Sequence, residues 1–302
     1  MNRNHARGRW VVVGLFLLGG AVLGGFFVAR RVAAKPPAAE QAAAARDLPL
    51  GVPPRPLRLV SYNILHCQRG LDRVAAEIRQ RDPDIVLLQE VESRDCAGLA
   101  RALDMQAHYD PQFYETSENL AGPQATWGNL ILSKFPLYGA TSIPNPGGGS
   151  FGLWADVVVD GKRFVIACVH LSATWKANPV HVKESGENRN KELTHLLDAW
   201  QARGRPPMIV GGDFNQIPVG NNYALMTRDL TDGLASVGQT GLTFGEGVLR
   251  TRIDYFLLTK EWAATTGGIG EVGASDHNPI WLTVGAAASG PSTAPATTRS
   301  PP

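Results

Sequence analysis

Residues 208–215, MIVGGDFN, form a short apolar run that ends in Asp213 and Asn215. The apolar part predicts a buried β-strand over Met208–Val210. Asp213 and Asn215 are separated by one residue, so on an extended backbone their side chains face the same way. One is a hydrogen-bond acceptor and the other offers an amide donor. This pairing suits a polarised water or a phosphoryl oxygen.

The same arrangement, polar residues at the end of an apolar run, recurs along the chain. The other clusters are Ser61-Tyr62-Asn63, Gln89-Glu90, His170, Ser275-Asp276-His277 and, with one carboxylate inside a strand, Arg252-Ile253-Asp254-Tyr255. Polar groups in such places cost free energy unless they are paired or bind a ligand. Their repetition therefore indicates a shared functional site.

The runs between these clusters predict an α/β fold with many strands and few helices. Helices are predicted at Leu71–Ile78, ended by Asp82-Pro83, and at Asn188–Trp200. The predicted strands are Leu57–Leu65, Asp84–Leu88, Leu130–Ser133, Leu153–Val159, Phe164–Val169, Met208–Val210, Ile253–Leu258 and Ile280–Val284. This order favours two packed β-sheets flanked by helices.

The two ends of the chain differ from its centre. Residues 1–9 are basic, and residues 10–29 form an uncharged stretch of a length that spans a membrane as a helix. We expect an uncleaved anchor, with a long signal sequence as the alternative. Residues 30–56 are an Ala/Pro-rich linker, residues 57–284 one catalytic domain and residues 285–302 a disordered tail. The domain is expected outside the cytoplasm.

The charge distribution argues against avid, non-specific binding of nucleic acid. The net charge of the whole chain is +2, but residues 57–284 contain 20 basic and 25 acidic residues, a net charge of −5. Non-specific nucleic-acid binding depends on neutralising phosphates with basic side chains. A local basic patch is still compatible with these totals.

The chain has three cysteines, so a single chain forms at most one internal disulfide. Cys168 lies in an apolar run and is expected to be inert core. Cys67 and Cys96 each follow a predicted strand that ends near the site. They form either a bridge or two unpaired thiols.

Two clusters have the composition of catalytic groups, one for binding a metal ion and one for activating water. Glu90 and Asn63, at the ends of neighbouring strands, offer oxygen ligands of the kind that Mg²⁺ prefers. His277 and Asp254 can form a hydrogen-bonded pair that fixes the imidazole tautomer and raises its basicity. His170 is a second candidate histidine.

Seven motifs together resemble those of the endonuclease/exonuclease/phosphatase superfamily. In chain order they are Ser-Tyr-Asn at 61–63, Leu-Gln-Glu-Val at 88–91, Gly-Asn-Leu-Ile-Leu-Ser at 128–133, Val-His-Leu at 169–171, Gly-Asp-Phe-Asn at 212–215, Arg-Ile-Asp-Tyr at 252–255 and Ser-Asp-His-Asn-Pro at 275–279. The resemblance covers residues 57–284. It implies a four-layer α/β sandwich of two mixed sheets packed face to face, with helices outside.

The resemblance also implies a role for each matching position. Asn63 and Glu90 would bind Mg²⁺, with Mn²⁺ as a substitute, and Asp276 would help to hold metal or phosphate. Asp213 and Asn215 would orient the attacking nucleophile and the phosphoryl oxygens.

For the remaining positions, His277 with Asp254 resembles a catalytic dyad and Asn129 a phosphate contact. Arg189 resembles an arginine before a family helix, where it either binds substrate or is a surface charge.

His170 distinguishes branches of the superfamily. The deoxyribonuclease, sphingomyelinase and inositol-phosphatase branches have a histidine there, so the resemblance disfavours abasic-site repair. In the deoxyribonuclease branch this histidine has an upstream acidic partner, for which Glu115 and Glu118 are both candidates.

These expectations combine into a membrane-tethered, Mg²⁺-dependent phosphodiesterase acting on nucleic acid or a phospholipid head group. Water would attack in line, deprotonated by Asp213 or by His277. A phosphomonoesterase of the same fold and a catalytically silent binding module are the alternatives. The oligomeric state is left open.

Overall fold

The computed structural model describes residues 45–112, 127–174, 176, 178–245, 250–271 and 273–288. The predicted anchor at residues 10–29 lies outside these residues, as does most of the predicted tail. Across the ranges described, no helix has the length and apolar character needed to cross a membrane.

Twelve strands and five helices make up the described part of the chain. The strands are β1 Leu57–Asn63, β2 Ile85–Glu92, β3 Gln106–Gln112, β4 Trp127–Ser133, β5 Leu137–Pro144, β6 Ser150–Val159, β7 Lys162–His170, β8 Met208–Asp213, β9 Thr231–Asp232, β10 Asp254–Leu258, β11 Trp262–Ile269 and β12 Ile280–Ala286. The helices are α1 Leu71–Arg79, α2 Ser93–Leu103, α3 Pro179–Ala202, α4 Gly220–Asp229 and α5 Gly233–Ser236, with a 3₁₀ turn at Leu65–Cys67.

The strands form two mixed, six-stranded sheets. Sheet A has the order β11-β12-β1-β2-β4-β3, and sheet B the order β5-β6-β7-β8-β10-β9. In sheet A, β1 is parallel to β2 and antiparallel to β12. In sheet B, β8 is parallel to β7 and antiparallel to β10. The parallel pairs lie at the centre of each sheet, where both faces are covered.

The two sheets pack face to face around one apolar layer. Leu59 and Leu87 of sheet A belong to the same buried cluster as Ile166, Ile209 and Phe256 of sheet B. Alternate residues on the same strands face outward, because successive side chains on a strand point to opposite faces. Helices cover those outer faces, which confirms the expected arrangement of two packed mixed sheets flanked by helices.

The helices are held by the spacing of their apolar residues. In α1, Val74, Ala75 and Ile78 face sheet A. In α3, Leu193, Leu196, Leu197 and Trp200 pack on sheet B. Helix α3 begins nine residues before its predicted start, at Pro179. Asn178 caps it by accepting a hydrogen bond from the His181 N–H over 2.8 Å.

The strands that sequence patterns did not predict lie at or next to sheet edges. Strands β3, β5, β9 and β11 are the four terminal strands of the two sheets. An edge strand is hydrogen-bonded on one side and partly exposed, so its sequence lacks a continuous apolar run. β3 even contains Pro111, which lacks the N–H that an inner strand donates.

Part of the predicted linker packs on the domain. The Gly51 N–H donates to the Arg163 carbonyl over 3.0 Å, and the Arg163 N–H donates to the Pro49 carbonyl over 3.0 Å. Val52 contacts the apolar layer between the sheets. Contacts with the domain therefore begin about eight residues before Leu57.

All three cysteines are free, so the Cys67–Cys96 bridge is not formed and the alternative of two thiols holds. The Cys96 thiol lies 3.6 Å from the Glu92 carbonyl. Cys168 is fully buried and donates to the Leu88 carbonyl over 3.3 Å. Burial raises the pKa of Cys67 to about 12, of Cys96 to about 11 and of Cys168 to about 12.

We expect the native protein to react slowly with iodoacetamide at pH 8. The thiolate is the reactive form, and raised pKa values keep all three thiols protonated, so alkylation should be roughly tenfold or more slower than for a free thiol. After unfolding without reductant, three thiols should titrate per chain. A single thiol at that step would show that Cys67 and Cys96 are bridged.

Candidate functional site

Three neighbouring strands of sheet B bring three titratable side chains into one row. His170 at the end of β7 pairs with Asp213 at the end of β8, and Asp213 pairs with Asp254 at the start of β10. Side chains directly opposite on adjacent strands lie in contact. All three are 2% exposed. The strand register thus creates a buried cluster from residues up to 84 positions apart.

Sheet A contributes Asn63 and Glu90 from adjacent strands. Asn63 ends β1 and pairs with Gln89 of β2. At Glu90 the β2–β4 pairing is interrupted between Leu88 and Val91, and Glu90 has a φ of +55°. Such bulges redirect a side chain, and a non-glycine residue in this conformation costs about 1 kcal/mol. The irregularity turns the Glu90 carboxylate toward Asn63.

The Asn63 side chain connects the two sheets. Its Nδ2 donates to Glu90 Oε1 over 3.0 Å and to Asp213 Oδ2 over 3.1 Å. Its Oδ1 accepts a hydrogen bond from the Leu65 N–H over 3.2 Å. Both amide ends of this buried side chain are therefore engaged, and its position is fixed by contacts from three directions.

The Gly-Asp-Phe-Asn segment turns immediately after β8. Asn215 has a φ of +48°, so the expectation of an extended backbone with both side chains on one face is wrong. The Asn215 N–H donates to Asp213 Oδ1 over 2.9 Å, and its Nδ2 donates to the Leu171 carbonyl over 3.0 Å. The turn clamps the Asp213 carboxylate and ties it to the chain that follows His170.

His277 lies between two carboxylates. Its Nδ1 is 3.0 Å from Asp254 Oδ2, and its Nε2 is 3.6 Å from Asp213 Oδ2. The ring packs against Phe244, with 4.6 Å between ring centroids. The His277 N–H donates to the Ser275 hydroxyl over 3.2 Å. The structure thus brings the predicted dyad together and directs its free nitrogen at Asp213.

Charge and burial shift the pKa values of this pair. Burial alone lowers the pKa of His277, but the negative charges of Asp254 and Asp213 outweigh it and raise the pKa to about 10. Burial raises the pKa of Asp213, opposed by the charges of His277 and His170. Asp213 is therefore more basic than an ordinary carboxylate.

His170 approaches the same carboxylates from the other side. Its Nε2 is 3.6 Å from Asp213 Oδ2 and 4.0 Å from Glu90 Oε1. Its ring packs against Trp127, with 5.7 Å between centroids. Within the ranges described, its Nδ1 has no hydrogen-bond partner. Glu115 and Glu118, the two candidates for that partner, lie outside the described residues.

The other predicted residues lie around this centre. Arg189 is buried inside α3 rather than exposed at a helix start, and its Nη1 donates to the Ser172 carbonyl over 2.8 Å. Asn129 on β4 is fully buried, with its Oδ1 3.8 Å from the Cys168 thiol. Asn129 Nδ2 has no partner within the described part of the chain.

Asp276 lies beside His277. The Ser275 hydroxyl donates to Asp276 Oδ1 over 3.2 Å, and the charge of Asp276 is one of the smaller contributions that raise the pKa of His277. Among the residues described, it makes no hydrogen bond with Asn63 or Glu90. The Asp276 carboxylate therefore bonds within the dyad loop, and its backbone carbonyl accepts a hydrogen bond from the Gly245 N–H over 3.1 Å.

His66 is a site residue that the sequence patterns did not single out. Its Nε2 is 3.3 Å from Glu90 Oε2, and its ring meets Trp127 edge-on with 5.2 Å between centroids. The one sequence signal is a histidine three positions after Asn63, which the strand assignment of Leu57–Leu65 obscured. The structure ends β1 at Asn63 and places His66 in the following turn.

The donor set fits a divalent metal ion. Among the described residues, Glu90 and Asp213 form ion pairs only with histidines, so no lysine or arginine balances their charges. Asp213 is buried and Glu90 partly buried, so a bound cation would offset the charge that the histidines leave on them. Glu90 with Asn63 offers an oxygen set, and Asp213, Asp254 and His277 have ligand atoms within 4.8 Å of one another.

Comparisons with known proteins give a family match and similar solved structures. The Endonuclease/Exonuclease/phosphatase family model matches residues 60–277. An endonuclease/exonuclease/phosphatase from Beutenbergia cavernae is 25% identical, with a TM-score of 0.62 over 77% of this chain and 72% of its own. A comparison with curated proteins gives no match.

Two further solved structures share the fold at lower identity. The human Nocturnin catalytic domain is 18% identical, with a TM-score of 0.60 over 80% of this chain and 98% of its own. Truncated TDP2 from Caenorhabditis elegans is 17% identical, with a TM-score of 0.58 over 76% of this chain and 98% of its own.

We expect Asp254→Asn to lower the pKa of His277 from about 10 toward its ordinary value of 6.5, because the closest negative charge is removed. In the metal-free native protein, the protonated imidazole stabilises the fold below pH 6.5, and this contribution is lost as pH rises through about 10. The variant should lose that pH dependence.

Histidine NMR titration and urea unfolding across pH measure both effects. Asp198→Asn removes an exposed carboxylate on α3 and is the control, in which the pKa of His277 should not change. An unchanged pKa in Asp254→Asn would contradict the pairing.

Proposed function

Because the chain belongs to the endonuclease/exonuclease/phosphatase family, whose members are generally phosphoesterases, we propose that it hydrolyses a phosphodiester by in-line attack of water. The main support is that Asn63, His170 and His277 all direct nitrogen atoms at one oxygen, Asp213 Oδ2. A buried carboxylate that is fixed by several nitrogen groups has the defined position that proton transfer requires.

In this proposal Asp213 holds the attacking water and accepts its proton. Its raised pKa makes it a better base than an exposed carboxylate. His277, kept protonated by Asp254, stabilises the negative charge that develops on the phosphoryl oxygens. His170 does the same from the opposite side, and Asn215 holds the turn beneath Asp213. Asn129 contacts a phosphate oxygen with its unpartnered Nδ2.

Mg²⁺ is the proposed cofactor, and Mn²⁺ a substitute. Glu90 and Asn63 would hold it, with Asp276 nearby. A bound Mg²⁺ would neutralise charge on the phosphate and make phosphorus more electrophilic.

The proposed substrate is a nucleic acid or a phospholipid head group. The net negative charge of residues 57–284 is unfavourable for a long polyanion. The proposed membrane anchor at residues 10–29 favours a substrate in or near a lipid surface.

We expect Mg²⁺-dependent hydrolysis of at least one member of a panel of plasmid DNA, RNA, sphingomyelin, phosphoinositides, bis(4-nitrophenyl) phosphate and 4-nitrophenyl phosphate. Chelator should abolish it. Glu90→Gln should lower kcat/KM by roughly 100-fold and weaken metal activation, because a metal ligand loses its charge.

Glu92→Gln is the matched control. It removes a carboxylate from the same strand, where Glu92 pairs with Arg94 over 2.6 Å, and its kcat/KM should equal that of the wild type. If no substrate is hydrolysed with either Mg²⁺ or Mn²⁺, the catalytic proposal fails and a binding module of the same fold replaces it.

For the anchor, we expect protease added to intact cells to remove the domain, because the proposed orientation places it outside the cytoplasm. A deletion of residues 1–35 should leave the protein in the soluble fraction. Protection of the domain in intact cells, with digestion only after lysis, would reverse the proposed orientation.

A further inference from the structure

A polar groove of about 380 Å³ lies between α3 and the segment that leads into α4. Its walls include Gly186 and Arg189 of α3, and Gln216 and Asn222 on the opposite side. None of the groups that act on Asp213 in the proposed mechanism lines it. The groove therefore forms a separate space that the hydrolytic mechanism does not use.

The groove contains a buried cation without a matching anion. Arg189 is 8% exposed, and its Nη1 donates to the Ser172 carbonyl over 2.8 Å and to the Thr174 hydroxyl over 3.2 Å. Its Nε has no hydrogen-bond partner among the described residues, and no described carboxylate lies within ion-pair distance of the guanidinium. A buried charge left without its counter-charge is costly. A bound anion would remove that cost.

The acidic groups nearest to Arg189 are engaged elsewhere. Glu192 accepts hydrogen bonds from the Ser172 N–H over 2.9 Å and from Asn145 Nδ2 over 2.8 Å. At the mouth of the groove, Glu187 lies 3.7 Å from the Lys183 ammonium group. These two exposed charges offset each other. The charges of Glu192 and Asp213 act on Arg189, but neither carboxylate forms an ion pair with it among the described residues.

Gly186 leaves the guanidinium open to the groove. A Cβ at this position would lie 3.9 Å from Arg189 Nη2, so alanine fits, whereas a branched side chain such as leucine would occupy space beside that nitrogen. Glycine within a helix is less stable than alanine by about 1 kcal/mol. Asn222 Nδ2 donates to the Gly186 carbonyl over 2.9 Å and thereby fixes the opposite wall.

The groove adjoins the proposed catalytic centre through two short segments. Ser172, which binds Arg189, lies two residues after His170, and Gln216 directly follows Asn215. Burial lowers the pKa of Arg189, and the negative charges of Glu192 and Asp213 oppose that shift. The groove and the proposed catalytic centre are therefore neighbours, joined by the segment at Leu171–Ser172.

We propose that this groove is a second anion subsite, in which Arg189 binds a further phosphate group of the substrate next to the scissile diester. The Arg189 Nη2 group, beside Gly186, is the donor available to phosphate oxygens, because the amide nitrogens of Asn222 and Gln216 already donate within the protein. This subsite rests on the proposed function for its role in turnover, but its anion binding is measurable without catalysis.

The binding test uses the full chain in chelator, with inorganic phosphate and sulfate as probes. We expect Arg189→Gln and Gly186→Leu to raise the Kd of the anion at least tenfold, measured by calorimetry and by the anion-induced shift in Tm. Gly186→Ala leaves the groove open, and Arg205→Gln removes a surface arginine just beyond α3 that bonds Gln201. Both controls should bind as the wild type does.

Turnover distinguishes the two sources of the second phosphate. One arm compares a dinucleotide with a trinucleotide, and the other compares phosphatidylinositol with its monophosphate. We expect the wild type to prefer the more highly charged member of one pair. Arg189→Gln and Gly186→Leu should reduce that preference, the ratio of the two kcat/KM values, at least tenfold.

Wild-type anion affinity in Gly186→Leu would overturn the subsite, and so would a wild-type preference in that variant. Gly186→Leu retains the contacts of Arg189 with the segment after His170, so it decides the question even if Arg189→Gln does not fold. Anion binding that depends on Arg189, without hydrolysis of any substrate, would support the groove and reject the proposed function.

Discussion

The hydrogen bonds of the Asn63 amide to Glu90 and Asp213 join the two sheets where their buried carboxylates meet. Carboxylates in an apolar interior repel each other and lose hydration, so they are held together only if donors or a cation lie between them. Asn63 supplies two N–H groups and Asn215 a backbone N–H, while His66, His170 and His277 approach the same carboxylates. The site thus exists because the sheets pack closely enough for one amide to reach both.

The strand row in sheet B has its own support away from the chemistry. Arg252 forms a buried ion pair with Asp232, with N–O distances of 2.7 and 2.9 Å. The Tyr255 hydroxyl donates to the Gln216 carbonyl over 2.6 Å. Of the Arg-Ile-Asp-Tyr motif, only Asp254 reaches the centre. The other polar members hold β10 and the turn after Asp213 in place.

Arg189 connects the catalytic centre with the groove beside it. Its Nη1 fixes the chain that follows His170, while Nε and Nη2 remain without partners among the described residues. One guanidinium therefore holds the chain after His170 through Nη1 and keeps other N–H groups available. Because the domain has a net negative charge, it does not attract anions as a whole. A buried arginine can still bind an anion at its own position.

Local sequence determined the central strands, helices α1 and α3 and the identity of most site residues, because apolar periodicity and polar strand ends are properties of neighbouring positions. Sequence patterns did not predict edge strands β3, β5 and β11, because these strands are stabilised by pairing with one neighbour and lack an apolar pattern of their own. The turn at Asn215, the approach of His66 to Glu90, the burial of Arg189 and the groove at Gly186 were decided by the tertiary structure alone. Each depends on contacts between segments that are far apart in the sequence and meet only when the chain folds. A local sequence pattern carries no information about such contacts.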